Sequence, residues 1–348
     1  MTRGTLDDQE IGAKKTRSQL VGAYAAPPLE RQSSFSPRVH PRPAYPPWQG
    51  ILYTAAMAHA RDTIAGVLLA MTIWPAWKLV SDRWQPSEVW MYVMVMSVAH
   101  TAPLLLFNGA LELLQRTSNP TIVACKIPRK EAEVPTSELW RSLLIKIAVS
   151  HCLVGPISSY FIFARGFPAV TSPLPPITQL FPFFMAAHSF NDWGFYWAHR
   201  MFHSPKLYSR FHKQHHAFKG TVGPAAEYAG DVETIVANYI PSVGGLVIIG
   251  AHPIVQASWL VLRLWQTFEA HSGYVFDGLW LKKVGVVSGS CFHDHHHTVN
   301  LGNFGAPHMD WLFGTMDHWV RDGCDEGYLQ KRFTDGAPPG LDWSKKQT

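Results

Sequence analysis

The histidines of this sequence recur in groups whose spacing suits metal binding. Five of them fall in the eighteen residues from His199 to His216, and the first pair, His199 and His203, is spaced i, i+4. On a helix this spacing places both side chains on one face. The spacing i, i+3, i+4 then occurs twice, at His212, His215 and His216 and again at His293, His296 and His297. Three such groups in one chain predict a metal site.

The number and type of these ligands indicate the metal chemistry. Neutral imidazole suits zinc, copper, iron and nickel, and an ion takes about three or four protein ligands, so eight histidines indicate two ions. A metal-free cluster would be a pH-responsive surface, but its protonated rings would repel one another. An imidazole-rich dinuclear site at a membrane surface is typical of iron that activates dioxygen, whereas dizinc hydrolases more often show bridging carboxylates. The alternative in another class is a membrane metal-binding protein without turnover.

Several further residues are candidates for the same site. His271 opens the segment HSGY directly after an apolar stretch, which makes it a candidate ninth ligand. His188 lies three helical turns before His199 and is an outer candidate, whereas His295 lies off the i, i+3, i+4 face and is left out. A carboxylate often holds the second nitrogen of a metal-bound histidine. The candidates for this supporting contact are Asp192, Glu269 and Asp294. Each of them could instead be a helix cap or a surface charge.

The composition predicts a membrane protein. Hydrophobic residues make up 47% of the chain and charged residues 16%, well below the ~25% charged residues of soluble domains. Apolar stretches occur at about 63–80, 88–111, 142–164 and 177–198, and all but the short first one are long enough to cross a bilayer. A second apolar region, 233–268, is broken by glycines and prolines and predicts a helical hairpin. The predicted fold is therefore an all-α, polytopic membrane helix bundle with four to six membrane-embedded helices.

The loop charges predict how the bundle is oriented. The connection 112–141 carries five Lys and Arg residues, and basic connections face the cytosol. The stretch that ends near residue 198 then delivers the first histidine groups to the cytosolic side. A hairpin over 233–268 that enters the membrane and returns would bring His271 and the third group to that same side. The sequence thus predicts a dimetal site that faces the cytosol.

The remaining segments complete a predicted domain organisation. Residues 1–50 are polar and rich in proline, without the apolar core of a signal peptide, and predict a disordered cytosolic tail. Residues 51–140 hold the first membrane helices and the basic loop, 141–320 the metal-binding domain, and 321–348 a polar tail. The chain ends in Lys345-Lys346-Gln347-Thr348, a dilysine signal for retrieval to the endoplasmic reticulum. No nucleotide-binding motif, CxxC or basic nucleic-acid patch is present, so electrons must come from another protein.

The order of the short motifs resembles a known family. HRMFH, HKQHH, AEY, HSGY, HDHHH, NFG and WLFGT occur in this order over about residues 140–320, as in the fatty acid hydroxylase/sterol desaturase superfamily. Glu227-Tyr228, Glu233-Thr234 and HSGY resemble the C-4 methylsterol oxidases most. The resemblance implies a multi-pass di-iron oxygenase of the endoplasmic reticulum membrane that oxidises C–H bonds with O2 and electrons from NAD(P)H through cytochrome b5 and its reductase. The ligands that it implies are His199, His203, His212, His215, His216, His271, His293, His296 and His297, with no catalytic residue beyond them.

Three positions depart from the oxidase pattern. Asn191 stands where a Glu is frequent, Gln266 where a Glu commonly precedes HSGY, and Val275 where an Asp commonly follows it. Because the histidine groups are intact, these departures concern the substrate more than the chemistry. The leading hypothesis is oxidation of a methyl group of a sterol or sterol-like terpenoid. The alternatives are a fatty acyl or sphingolipid hydroxylase or desaturase, and a tailoring hydroxylase of specialised terpenoid metabolism.

Overall fold

The chain is helical wherever its structure is described. The computed structural model describes residues 48–117, 119–164, 166–275, 289–323, 327–329 and 331–332. Within these ranges the β-structure is limited to one isolated bridge, between Lys126 and Tyr274, and no sheet forms. The predicted all-α class is thereby confirmed. The predicted tail up to residue 47, the dilysine end and residues 276–288 lie outside the described ranges.

Six longer helices form the body of the described chain, and shorter turns connect them. The longer ones are α1 (Trp48–Trp84), α2 (Glu88–Arg116), α4 (Ser137–Val149), α6 (Ile177–Phe202), α10 (Pro253–Ala270) and α11 (Ser290–Val299). The shorter α-helices are α3 (Pro120–Ala124), α5 (Gly155–Phe163), α7 (Pro205–Leu207), α8 (Asp231–Glu233), α9 (Gly245–Ile248), α12 (Pro307–Leu312) and α13 (Asp317–Arg321). Segments of 3-10 helix are Glu131–Glu133, His215–Ala217 and Gly223–Glu227, and π-helical segments are Ser150–Val154, Tyr208–His212 and Thr234–Gly244.

Three segments of the described chain are long and apolar enough to cross a membrane. They are Gly50–Trp84, Glu88–Arg116 and Glu131–Phe163. The first extends well beyond the predicted stretch 63–80, because its polar residues pair inside the bundle: Asp62 is buried and lies 2.6 Å from Arg61 Nε. The predicted stretch 177–198 forms helix α6 but is not among the three segments. The number of membrane crossings stays a prediction.

The outer faces of these helices suit a lipid environment. Large apolar side chains such as Leu79, Leu106 and Phe161 are exposed. A water-soluble protein rarely exposes so much continuous apolar surface, whereas lipid covers it without cost. Except at its two ends, a helix makes its backbone hydrogen bonds internally, which a segment in lipid requires. The described chain is therefore a helical membrane protein.

The predicted hairpin over 233–268 forms and closes the core. Its first arm is the π-helical segment Thr234–Gly244 with α9, and its second arm is α10. Trp259 is fully buried, and its indole N–H donates to Ser242 O across the arms at 2.6 Å. Tyr92 on α2 donates to Gln256 on α10 at 2.8 Å. These contacts hold the N-terminal half of α10 against α2 and the first arm, and His271 follows directly after the C-terminus of this helix.

Candidate metal centre

The chain leaves regular helix at the second histidine group. His203 caps the C-terminus of α6, and Ser204-Pro205 starts a new turn. The following residues form the π-helical segment Tyr208–His212 and then the 3-10 segment His215–Ala217. The expectation that His212, His215 and His216 share one α-helical face is therefore wrong. The third group does lie on an α-helix, α11.

Five of the nine predicted histidines form one group, which we call group one. Their ring nitrogens lie within 4.8 Å of one another. His212 Nε2 lies at its centre, 3.1 Å from His199 Nε2, 2.9 Å from His203 Nε2 and 3.0 Å from His216 Nε2. All five imidazoles are buried or half-buried. The members of group one are His199, His203, His212, His216 and His296.

The other four predicted histidines form group two. His271 Nε2 lies 2.8 Å from His293 Nε2 and 3.4 Å from His215 Nε2, and His297 Nε2 lies 3.1 Å from His293 Nε2. His271, from the HSGY segment, thus lies beside histidines of both HxxHH segments. It is the residue predicted as a candidate ninth ligand. The two groups touch, since the ring centroids of His216 and His297 are 4.6 Å apart.

Each HxxHH segment contributes to both groups in a reciprocal pattern. The i, i+4 pair of the second segment, His212 and His216, belongs to group one, and the pair of the third segment, His293 and His297, to group two. The middle histidine of each segment crosses over, so that His296 joins group one and His215 joins group two. The result is two adjacent sites lined by imidazole nitrogens, and each site contains histidines from both HxxHH segments.

Outward contacts of the second ring nitrogen orient several of these histidines. The Nδ1–H groups donate to backbone carbonyls in four rings: His199 to Phe304, His296 to Gly302, His271 to Thr267 and His297 to Phe218, at 2.6–3.1 Å. A carbonyl only accepts, so the proton is on Nδ1 and the Nε2 lone pair faces inward. This is the tautomer that binds a metal through Nε2.

The electrostatics of the groups favour neutral rings. Burial lowers the pKa of His271 to about 4, despite the opposing hydrogen bond to Thr267. Burial and the neighbouring imidazoles hold the pKa of His216 and His297 well below the usual value. Neutral imidazoles whose lone pairs converge at about 3 Å repel one another unless a cation lies between them. Cis ligands of an octahedral ion with ~2.1 Å bonds are also ~3.0 Å apart, so both groups fit a metal ion.

The acidic residues predicted to support the ligands lie elsewhere. Asp294 accepts from Thr221 and Tyr328, and Asp192 faces His59, His188 and His308. For these two and for Glu269, no hydrogen bond or ion pair with the nine histidines occurs in the described ranges. The carboxylate that does reach a member of the groups is Glu233, whose Oε1 lies 2.8 Å from His212 Nδ1.

Two further groups of titratable side chains assemble outside the histidine boxes. One consists of His59, His188 and Asp192, which lie on α1 and α6. The other consists of His100, His151 and Glu227. Spacing could not reveal either complete group. His59 is far in the sequence from the i, i+4 pair His188 and Asp192, and His100, His151 and Glu227 are far from one another, so these side chains meet only when the helices pack. His295, which the sequence analysis left out, lies 3.0 Å from Asp322 and belongs to none of the four groups.

Comparison with known proteins agrees with these features. A family model described as fatty acid hydroxylase matches residues 184–315, a range that contains all nine histidines. No solved structure matches the chain. A Dictyostelium discoideum protein that carries the name methylsterol monooxygenase is 33% identical over 208 residues, which is 56% of this chain and 77% of that protein.

Relatives from plants carry two kinds of name. Methylsterol monooxygenase 2-2 of Arabidopsis thaliana is 33% identical over 50% of this chain and 66% of its own length. Very-long-chain aldehyde decarbonylase GL1-8 of Oryza sativa subsp. indica is 32% identical over 52% of this chain and 70% of its own length. The predicted superfamily, the nearness to the methylsterol oxidases and the oxidoreductase class are thereby confirmed. This chain belongs to the fatty acid hydroxylase family of membrane sterol and lipid oxygenases.

Proposed function

We propose that this chain is a membrane di-iron monooxygenase that oxidises a methyl group of a sterol or sterol-like terpenoid. The observation that carries the proposal is the pair of adjacent, buried groups of inward-facing imidazole nitrogens. Group one would hold one ion through five histidines, and group two the other through four. Iron bound there would supply the reduction of O2 by which one oxygen atom enters a C–H bond and the other leaves as water, with two electrons and two protons consumed.

The residues of the chain would prepare this site in three ways. Burial of the rings keeps them neutral and keeps bulk water away from both groups. The carbonyls of Phe304, Gly302, Thr267 and Phe218 hold ring orientation through Nδ1. Glu233 faces the second nitrogen of His212, as carboxylates often do beside metal-bound histidines, where they raise ligand basicity.

The names of the relatives and the apolar helices support a lipid substrate. Of the segments by which the sequence resembles methylsterol oxidases, HSGY contributes His271 to group two, and AEY contributes Glu227 to the separate group with His100 and His151. A sterol would enter from the bilayer, between helices whose outer faces are apolar. We propose the endoplasmic reticulum membrane as the location, with the metal groups at the cytosolic surface and cytochrome b5 with its reductase as the electron source.

Isotope labelling with a defined sterol tests this function. Membranes that contain the chain, cytochrome b5 and its reductase are given NADH, 18O2 and a 4,4-dimethylsterol, and products are identified by mass spectrometry. We expect a hydroxymethyl sterol that carries one 18O atom. His297→Ala should abolish the product, and His318→Gln, a half-buried histidine outside all four groups, should retain it. If the sterol carries no 18O and the wild-type protein binds less than one iron ion per chain, the proposal is wrong.

A second candidate is oxidation of a long-chain lipid, and the rice relative gives it specific support. That relative is named as an aldehyde decarbonylase and matches this chain about as well as the methylsterol monooxygenases do. The same membranes are therefore also given a very-long-chain aldehyde and a fatty acyl lipid. A shortened hydrocarbon, or a hydroxylated or desaturated acyl chain, with an unchanged sterol would favour this candidate over the sterol.

A further inference from the structure

We propose that a third metal site, for Zn²⁺, lies in the helix bundle apart from both histidine groups. Its ligands are His59 on α1, His188 and Asp192 on α6, and His308 on α12. Asp192 precedes His199 by seven residues on α6, which separates the site from group one by ~10 Å along the helix. The site joins three elements that are distant in the sequence.

The Asp192 carboxylate lies at about the distance from each of the three imidazoles that tetrahedral zinc requires. Asp192 Oδ2 lies 3.4 Å from His188 Nδ1, 3.5 Å from His308 Nε2 and 3.7 Å from His59 Nε2. Ligands at ~2.0–2.1 Å around a tetrahedral ion are ~3.3–3.4 Å apart. The observed distances are too long for hydrogen bonds with good geometry. The ligand atoms of His59, His188 and Asp192 all lie within 4.8 Å of one another, and His308 would complete the set by a side-chain movement toward them.

The hydrogen bonds around the site leave lone pairs directed toward its centre. His59 Nδ1 donates to Ala55 O at 2.9 Å, so the neutral ring presents an unprotonated Nε2 to Asp192. His188 Nε2 lies 2.8 Å from Asp62 Oδ2, so the neutral ring presents an unprotonated Nδ1 to the same carboxylate. With both rings neutral, two lone pairs face a carboxylate oxygen, an arrangement that repels until a metal ion or a proton occupies the centre.

The central atoms are buried and lack hydrogen bonds. His188 and Asp192 are 6% and 7% exposed. Neither His188 Nδ1 nor Asp192 Oδ2 has a hydrogen-bond partner among the described residues. Buried polar atoms without partners are rare in native proteins, and each one calls for an explanation such as an ion. A bound cation would satisfy both atoms together.

A second layer of side chains supports His188 as a ligand. Asp62, which faces its Nε2, also accepts from Gln266 Nε2 at 2.6 Å and pairs with Arg61. Histidine ligands of zinc commonly have such a carboxylate behind them, which orients the ring. Because Asp62 is paired with Arg61, Asp192 is the carboxylate that remains to bind the ion. One carboxylate and three neutral imidazoles leave bound Zn²⁺ with a net charge of +1.

Element-resolved metal analysis of the purified full-length protein tests the site. Protein in detergent whose two histidine groups are loaded with iron is incubated with ZnCl2, passed over a desalting column, and analysed for zinc and iron separately. We expect about one zinc ion per chain in the wild type. Asp192→Asn and His308→Gln should each lower bound zinc at least fivefold, while His318→Gln should keep it. His308 is the most exposed of the ligands, so His308→Gln should fold even if Asp192→Asn does not.

The same measurement separates this site from the proposed oxygenase centre. Iron content should be equal in the wild type and in His308→Gln, whereas His297→Ala should lower iron and leave this zinc in place. A ZnCl2-dependent rise in thermal unfolding temperature should occur in the wild type and be lost in His308→Gln. Equal zinc contents in the wild type and His308→Gln would overturn the proposal, with buried ion pairs between protonated histidines and Asp192 as the explanation. That result would leave the iron measurements, and the proposed function, unaffected.

Discussion

Glu233 Oε1 lies 2.8 Å from Nδ1 of His212, the histidine at the centre of group one. Both side chains are almost completely buried. His212 approaches three other group members within 3.1 Å, so its ring orientation affects the whole group. The proximity of a carboxylate to the outer nitrogen of a central ligand makes Glu233 a positioning residue for the proposed metal.

Glu233→Gln should weaken iron binding in group one. Burial raises the pKa of the Glu233 carboxyl to about 9, but a cation bound by His212 would favour the carboxylate, which accepts from Nδ1–H of that ring. The amide keeps the size of the side chain and removes this charge. Loss of a carboxylate behind a histidine ligand costs about 10–100-fold in metal affinity. Titration with a competing chelator should therefore remove about one iron per chain from the variant at a concentration that leaves the wild type loaded.

Asp231→Asn is the matched control for this change. Asp231 lies two residues earlier, is exposed, and pairs with Lys146 rather than with a histidine. It should behave as the wild type in the chelator titration. Equal iron retention in Glu233→Gln and the wild type would show that proximity to His212 has no effect on the site.

Gly302→Ala should disturb His296 through the backbone. Gly302 O accepts from His296 Nδ1 at 2.6 Å, and the glycine has a φ of +68°. A Cβ atom there would lie 2.1 Å from Thr315 O, so the loop must move and take the carbonyl with it. We expect at least a tenfold loss of sterol oxidation, together with a lower unfolding temperature, in a comparison of purified variants.

Gly314→Ala separates the backbone cost from the steric clash. Gly314 has a similar φ of +65°, but its Cβ would meet nothing within 4 Å. Both substitutions should lower the free energy of unfolding by about 1–2 kcal/mol, because alanine disfavours the left-handed conformation. Only Gly302→Ala also forces the loop to move. If the two variants lose the same activity, the hydrogen bond to His296 does not position the ligand.

The sequence predicted which histidines belong to groups one and two better than it predicted how they are arranged. Spacing alone identified the histidines at 199–216 and 293–297, because close pairs along a chain stay close in any helical conformation. It could not predict that His215 and His216 belong to different groups, because the chain there is π-helical and then 3-10 helical. The role of Glu233 was missed for a similar reason, since it depends on how Asp231–Glu233 packs against the π-helical turn.

The helices themselves were predictable from apolar runs, but the polar groups between them were not. His100 and His151 each appear alone in an apolar stretch, and only the packed helices show them stacked at 3.9 Å beside Glu227. The same holds for His59 and His188, whose ring centroids are 3.7 Å apart. Pairwise contacts between distant segments carry no local signal, so a single sequence cannot reveal them.

Glu227 should make stability depend on acid pH. Burial raises the pKa of the Glu227 carboxyl, but the facing imidazoles of His100 and His151 outweigh it and hold the pKa well below its usual 4.5. The unfolded chain therefore binds the proton more readily than the folded chain below about pH 4.5. The stabilisation is present above that pH and is lost as pH falls toward the folded-state pKa.

Thermal unfolding of Glu227→Gln at two pH values checks this dependence. The unfolding temperature of the wild-type protein should fall between pH 6 and pH 3.5, and that of the variant should fall less. The difference should be about 2 °C or more for each kcal/mol that ionised Glu227 contributes to the free energy of unfolding. Glu112→Gln, an exposed residue paired with Arg116, should follow the wild-type slope. If the unfolding temperature of Glu227→Gln falls with pH as steeply as that of the wild type, Glu227 is not the source of the pH dependence.

Asp294 should act on group two through the backbone rather than through a histidine. It is 1% exposed and accepts from Thr221 N, Thr221 Oγ1 and Tyr328 OH at 2.7–3.1 Å. The segment that it anchors includes Phe218, whose carbonyl accepts from His297 Nδ1. Asp294→Asn exchanges one acceptor oxygen for a donor that faces another donor, which should lower the free energy of unfolding by about 2–3 kcal/mol.

Tyr328→Phe separates the anchoring of this segment from a general loss of stability. It removes the hydrogen bond from Tyr328 OH to Asp294 Oδ2 and the contact with Thr298 Oγ1 but leaves both bonds between Asp294 and Thr221. It should therefore cost about 1–2 kcal/mol and keep two iron ions per chain. Asp294→Asn should instead release iron from group two, measured as iron per chain after dialysis at a temperature where both variants are folded. If both variants keep their iron, the contact between Asp294 and Thr221 stabilises the fold without positioning His297.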